Sequence, residues 1–149
     1  MDSLRRLLLT LLMLGLVVTG SDLLLLEHYE DRLQLVPLVL IAAGLVTGGV
    51  HVLGKGASSL RALRFLMVLY LFSGLTGLVL HYRGSRAFQV EVSPGLEGFE
   101  LFWRAVKAKA PPALAPAAMV HLGLLGLAYG YRHPVLSGSS DGTERRRVE

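Results

Sequence analysis

Apolar side chains fill four long stretches of the chain, from Leu7 to Leu26, Leu35 to Leu53, Phe65 to Leu80 and Ala113 to Tyr131, with no Lys or Arg inside any of them. A helix that crosses a hydrocarbon core of about 30 Å needs roughly 20 mostly apolar residues, and these stretches approach or meet that length. The pattern predicts an all-α integral membrane protein, a four-transmembrane-helix bundle. The connection Glu27-His28-Tyr29-Glu30-Asp31-Arg32 is too short for anything but an antiparallel return, so the spans are expected as two antiparallel hairpins.

The long connection between spans three and four, residues 82–112, carries two further patterns. Ala87-Phe88-Gln89-Val90-Glu91-Val92 alternates apolar and polar positions, which predicts a short strand or an extended segment against the membrane face, ended by Ser93-Pro94-Gly95. Phe99, Phe102, Trp103 and Val106 recur at helical spacing, with Glu100, Arg104 and Lys107 elsewhere on the wheel. They predict a short amphipathic helix anchored in the interface by Phe99, Phe102 and Trp103. Such a helix either covers an outward-facing site or rests on lipid, and the second is the plainer expectation.

With 149 residues, 52% of them apolar, there is room for one compact transmembrane domain over 1–136 and a small polar tail over 137–149, expected to be disordered and cytoplasmic. Absence of Cys removes disulfides, thiolate metal sites and Cys nucleophiles. The formal charge of +4 does not point to nucleic acid, because the basic residues gather beside the apolar stretches. Arg5 and Arg6, then Lys55, Arg61 and Arg64, then Arg132 and Arg145 to Arg147 lie at one side of the expected topology. The positive-inside rule therefore places both termini in the cytoplasm. The outer connection, with Arg83, Arg86, Arg104, Lys107 and Lys109, runs against that assignment. A rival reading of the N terminus is a signal peptide cleaved after Val18-Thr19-Gly20; renewed apolar sequence from Leu23 to Leu26 favours a full crossing instead.

Polar residues inside the spans are the candidate chemistry. Asp22 lies about one turn below the outer end of the first span, where a carboxylate must be neutral, paired or near water. His28, His81 and His121 are expected toward the outer half with Asp22 and Glu27, a ligand set for a divalent metal, and two His on different helices suit a haem. No metal-binding spacing such as His-x-x-x-His accompanies them, so no cofactor is predicted; His51 and His133 are expected to be interfacial. At 100° per residue, Gly15, Thr19 and Asp22 share a face, as do Gly44, Gly48 and His51, and Tyr70, Gly74, Gly77 and His81. These faces are expected to point inward. In the fourth span Gly123, Gly126 and Gly130 lie opposite His121, so that helix needs cover on two sides. Gly44 with Gly48 and Gly126 with Gly130 form Gly-x-x-x-Gly pairs, candidate helix-contact faces.

Thr19-Gly20 and His28-Tyr29 correspond to Thr76-Gly77 and His81-Tyr82, and the Pro37-to-Leu45 segment overlays Pro116 to Leu124, which raises an internal duplication of hairpins. Glu27 to Leu38, Ser93-Pro94 to Phe102-Trp103, and Tyr131-Arg132-His133-Pro134 together resemble small, uncharacterised four-span proteins of the bacterial inner membrane. The resemblance implies a multi-pass inner-membrane location and no particular activity. Phosphate-binding Gly loops, Gly-x-Ser-x-Gly and His-Glu-x-x-His are all absent. The sequence is thus expected to encode a non-enzymatic accessory or interaction subunit, in contact with lipid and with further copies or a larger membrane complex. A metal- or haem-binding membrane protein of redox or transport function is the alternative.

Overall fold

A computed structural model describes residues 2–108 and 116–137. Its elements are α1 (Asp2–Leu25), α2 (Arg32–Gly54), α3 (Ala57–Val92), α4 (Gly98–Val106), α5 (Ala117–Gly130) and the short α6 (Pro134–Ser137), and no strand occurs among the described residues. Residues 3–25, α2 and α3 are each long and apolar enough to cross a membrane, while α5 is apolar but shorter. The first residues of the expected fourth span, the end of the outer connection and nearly all of the polar tail lie outside the described residues.

Helix boundaries follow local chemistry. Asp31 starts α2 with a capping box: its carboxylate accepts from the Arg32 N–H at 2.6 Å while the Gln34 side-chain oxygen accepts from the Asp31 N–H at 3.2 Å. Lys55 ends α2 in the left-handed region at φ 47°, its N–H donating to the His51 carbonyl, and Gly56 then starts α3 almost at once. This tight reversal lays α3 directly along α2.

The strand or extended segment expected at 87–92 is helix instead. α3 runs through it for 36 residues, about 54 Å at 1.5 Å per residue, far longer than a bilayer core of about 30 Å. An isolated strand would leave its N–H and C=O groups without partners, whereas the helix pairs them internally. The alternation also conceals a helical face: Tyr82 and Ser85 lie on the side that receives α4, with Ser85 fully buried. α4 packs there through Leu101 and Ala105.

α1 packs on α2 and α5, and α3 packs on α2, α4 and, most extensively, α5. Leu12 and Leu16 of α1, Ile41 of α2, Leu60, Leu63, Met67 and Tyr70 of α3, and Met119, Leu122 and Tyr129 of α5 form the core. Between helices surrounded by lipid tails, packing gains come from close van der Waals contact more than from removal of water, so small residues matter. A Cβ on Gly123 would sit 2.8 Å from the Met67 carbonyl oxygen, and one on Gly74 would sit 2.8 Å from the Val120 nitrogen. Both glycines let α3 and α5 meet backbone to backbone. Gly44 admits the Tyr70 hydroxyl, which donates to the Leu40 carbonyl at 2.9 Å, and Gly48 admits the Met13 sulfur. Outward faces remain apolar, with Leu7, Leu14, Val18, Val39, Val46, Phe65 and Phe72 exposed.

Candidate functional site

The five residues expected to gather at one end do so only in part. His28, in the α1–α2 turn, and His81, on α3, face one another with ring centres 6.1 Å apart and planes tilted by 38°. Burial, and secondarily the neighbouring His81, holds the His28 imidazole below its usual range. Asp22 and Glu27 are exposed. His121 is exposed on α5 and donates from Nδ1 to the carbonyl of Ala117, one turn back, at 3.0 Å. Among the described residues, no three His, Asp, Glu or Cys side chains come together as a metal-ligand group.

The candidate helix-contact glycines are occupied within the chain. Gly123 faces Met67 and Leu71, Gly126 faces Met67 and Leu12, and the stem of Arg64 lies across Gly130. Gly44 and Gly48 face Tyr70 and Met13. None of these glycine faces is left as an open surface for a partner. The opposite side of α5, with His121 and Leu124, is open.

The amphipathic helix α4, in the connection after α3, shows two faces as well. Leu101 and Ala105 are buried against α3, while Phe99, Phe102 and Trp103 remain exposed. Phe99 stacks on Trp103 with planes 12° apart, the Lys107 ammonium lies 4.7 Å from the Trp103 ring centre, and Arg104 pairs with Glu100 at 2.8 Å. Aromatic rings backed by cations suit the boundary between headgroups and acyl chains. Beneath the 93–98 loop an open groove of about 380 Å³ is lined by Arg86, Val90, Leu96 and Leu101, among others.

A buried polar cluster lies at the opposite end of the spans, where the sequence placed only interfacial histidines. His51 is 2% exposed; its Nδ1 is 2.9 Å from the Ser59 hydroxyl and its Nε2 is 2.7 Å from the Tyr129 hydroxyl. Ser59 donates its one hydroxyl proton to the Gly56 carbonyl at 2.9 Å, so it accepts from His51 Nδ1–H. Nε2 then accepts from Tyr129, which assigns a neutral imidazole by hydrogen-bond accounting. His133 closes the cluster, its ring 5.9 Å from His51 and 5.3 Å from Tyr129, and its Nδ1 accepts from the Val135 N–H at 3.3 Å. Beside it Arg5 donates to the Arg132 carbonyl at 3.0 Å, tying the start of α1 to the end of α5.

This cluster joins α2, α3, α5 and the segment leading to α6. His51 and Tyr129 are buried with their polar atoms hydrogen-bonded, Ser59 is half-buried at the edge, and these bonds hold α2, α3 and α5 in register. One signal pointed to it, since His51 shares a helical face with Gly44 and Gly48. Tyr129 and Ser59 gave no such signal. No protein-family model matches the chain, and no curated protein or solved structure shows significant similarity to it.

Proposed function

We propose that this chain is a multi-pass protein of a bacterial inner membrane that serves as a non-catalytic accessory or interaction subunit. It crosses four times, as two antiparallel hairpins with both termini cytoplasmic. Contact order supports the hairpins: Gly20 lies by Ile41 and Met13 by Gly48, while Gly77 lies by Pro116 and Gly123 by Met67. Pairing of α1 with α5 and of α2 with α3 also suits hairpins related by a two-fold axis along the membrane normal. The basic residues at the α2–α3 turn and near Arg132 support the orientation.

The observation that carries the interaction role is the outer face of α5. His121 is exposed there on an otherwise apolar helix, with Leu124 beside it 55% exposed. A polar side chain at that depth is costly against lipid, and its own helix supplies only the Ala117 carbonyl. A second copy or a different membrane protein supplies the remaining cover. Photo-cross-linking from position 121 in native membranes, followed by mass measurement in mild detergent, tests this. Adducts to a second protein chain are expected; monomer alone, with no adduct from 121, removes the reading.

A second reading, a metal- or haem-binding protein in redox or transport, draws on the facing His28 and His81 rings. Metal analysis and a visible spectrum of purified, supplemented protein decide it, because colourless and metal-free material leaves it without support.

A further inference from the structure

At the end of the molecule that holds the His51 cluster, a shallow groove of about 260 Å³ runs between α3 and α5, lined by Arg61, Arg64, Phe65, Val68 and Leu127. We infer that this groove is a binding site for an anionic glycerophospholipid, with the two guanidiniums on its phosphate and the apolar floor under the start of an acyl chain. The inference rests on the membrane-spanning reading of the helices.

Arg61 and Arg64 stand one turn apart on α3 and flank the groove from the same element. The Arg64 stem crosses the bare backbone of Gly130: its Cγ and Cδ lie 2.8 and 2.9 Å from where a Cβ would stand, so α5 makes room for the stem there. Arg64 has no hydrogen bond or ion pair among the described residues. A guanidinium cannot shed its charge by losing a proton, so at this depth it needs an anion or water. It lies seven positions into α3, about 10 Å along the axis, next to the residue where the apolar stretch begins at Phe65. That is headgroup level.

The floor identifies the anion's carrier. Phe65 is 65% exposed, and the outward apolar side of α3 continues from it to the exposed Phe72. A free phosphate would gain nothing from this floor, whereas a lipid joins a phosphate to a chain that lies along it. The volume falls below the roughly 300–1,000 Å³ of pockets that enclose drug-sized ligands, so the groove holds the headgroup junction and the rest of the lipid stays in the bilayer. Basic pockets between membrane helices suit such headgroups in general, at roughly fivefold in affinity for each Lys or Arg near the surface.

The test uses the full chain in nanodiscs of equal phosphatidylglycerol and phosphatidylcholine with identical acyl chains, and native mass spectrometry to count lipids released with the protein. Retention of phosphatidylglycerol over phosphatidylcholine is expected. The R61Q/R64Q pair should cut that preference by roughly 25-fold, while R83Q/R86Q, which removes the same charge on the extension of α3, should keep it. Val68→Trp leaves both charges and fills the groove, and should also lose the preference. Equal retention of the two lipids, a preserved preference in R61Q/R64Q, or an unchanged preference in Val68→Trp each overturns the site. Failure of the chain to enter bilayers at all overturns the spanning reading instead, and the site with it.

Discussion

Where α2 turns into α3, His51 has both ring nitrogens engaged and almost no exposed surface; at the far end His28 and His81 are half-buried and His121 is exposed. The difference lies in what surrounds each end. Lys55 and Gly56 reverse the chain so tightly that α2 and α3 stay in contact to their tips. The segment after α5 then folds back through Arg132, at φ 46°, to bring His133 onto the same spot. At the other end α1 stops at Leu25 while α3 continues to Val92, so the helices part company and, among the described residues, α4 lies against the extension through Leu101 and Ala105. A histidine is buried where several helix ends coincide, and left half-buried or exposed where they do not.

The sharpest way to break this comparison is His51→Ala. It opens a cavity and strands the Tyr129 hydroxyl, so a loss of about 2–4 kcal/mol is expected in reversible unfolding in bicelles. Tyr129→Phe should cost less, since hydrogen bonds between membrane helices average about 0.6 kcal/mol. A negligible effect of both variants would show that the cluster contributes nothing to the fold.

Next in size is Gly123→Ala, whose Cβ meets the Met67 backbone, with an expected loss of about 1–3 kcal/mol from overpacking. Gly49→Ala is its control: nothing lies within 4 Å of the added carbon, and a gain of about 0.5–1 kcal/mol from helix propensity is expected. Equal responses from the two positions would mean that α3 and α5 do not approach through Gly123.

The smallest expected effect lies at the open end. Because the folded His28 titrates below 6.5, the native protein binds fewer protons than the unfolded chain in that range. The associated stability is complete above about pH 6.5 and is lost as pH falls through that value toward the folded pKa. Thermal midpoints from about pH 7.5 to 5 should therefore decline, with a shallower slope in His28→Gln. An unchanged slope would separate the His28–His81 contact from the stability of that end.

Much of this was legible in the chain. Three long apolar helices follow from hydropathy and length. The shared face of Gly44, Gly48 and His51, and the opposition of His121 to Gly123 and Gly126, follow from helical periodicity. The continuation of α3 through residues 87–92 was not, because Phe88, Val90 and Val92 alternate like a strand and only the docking of α4, with Phe102 against Tyr82, reveals the helical face. The faces of α4 were half legible: the aromatic stripe stands out in sequence, but Leu101 and Ala105, which hold the helix to α3, do not.

Of the polar residues, Asp22 drew notice because a carboxyl is costly among leucines, yet it lies near a helix end and reaches an exposed position. Ser59 and Tyr129 are unremarkable in composition and become partners only because a tight turn and a close α3–α5 crossing bring residues 51, 59 and 129 together. Hydrophobic patterning, a one-dimensional property, determined that the chain forms long apolar helices and which side of each is small or polar. Tertiary structure alone decided which sides meet. Contact between helices depends on where each ends relative to the others, and that register is set by turns and bare glycine backbones far apart in the chain.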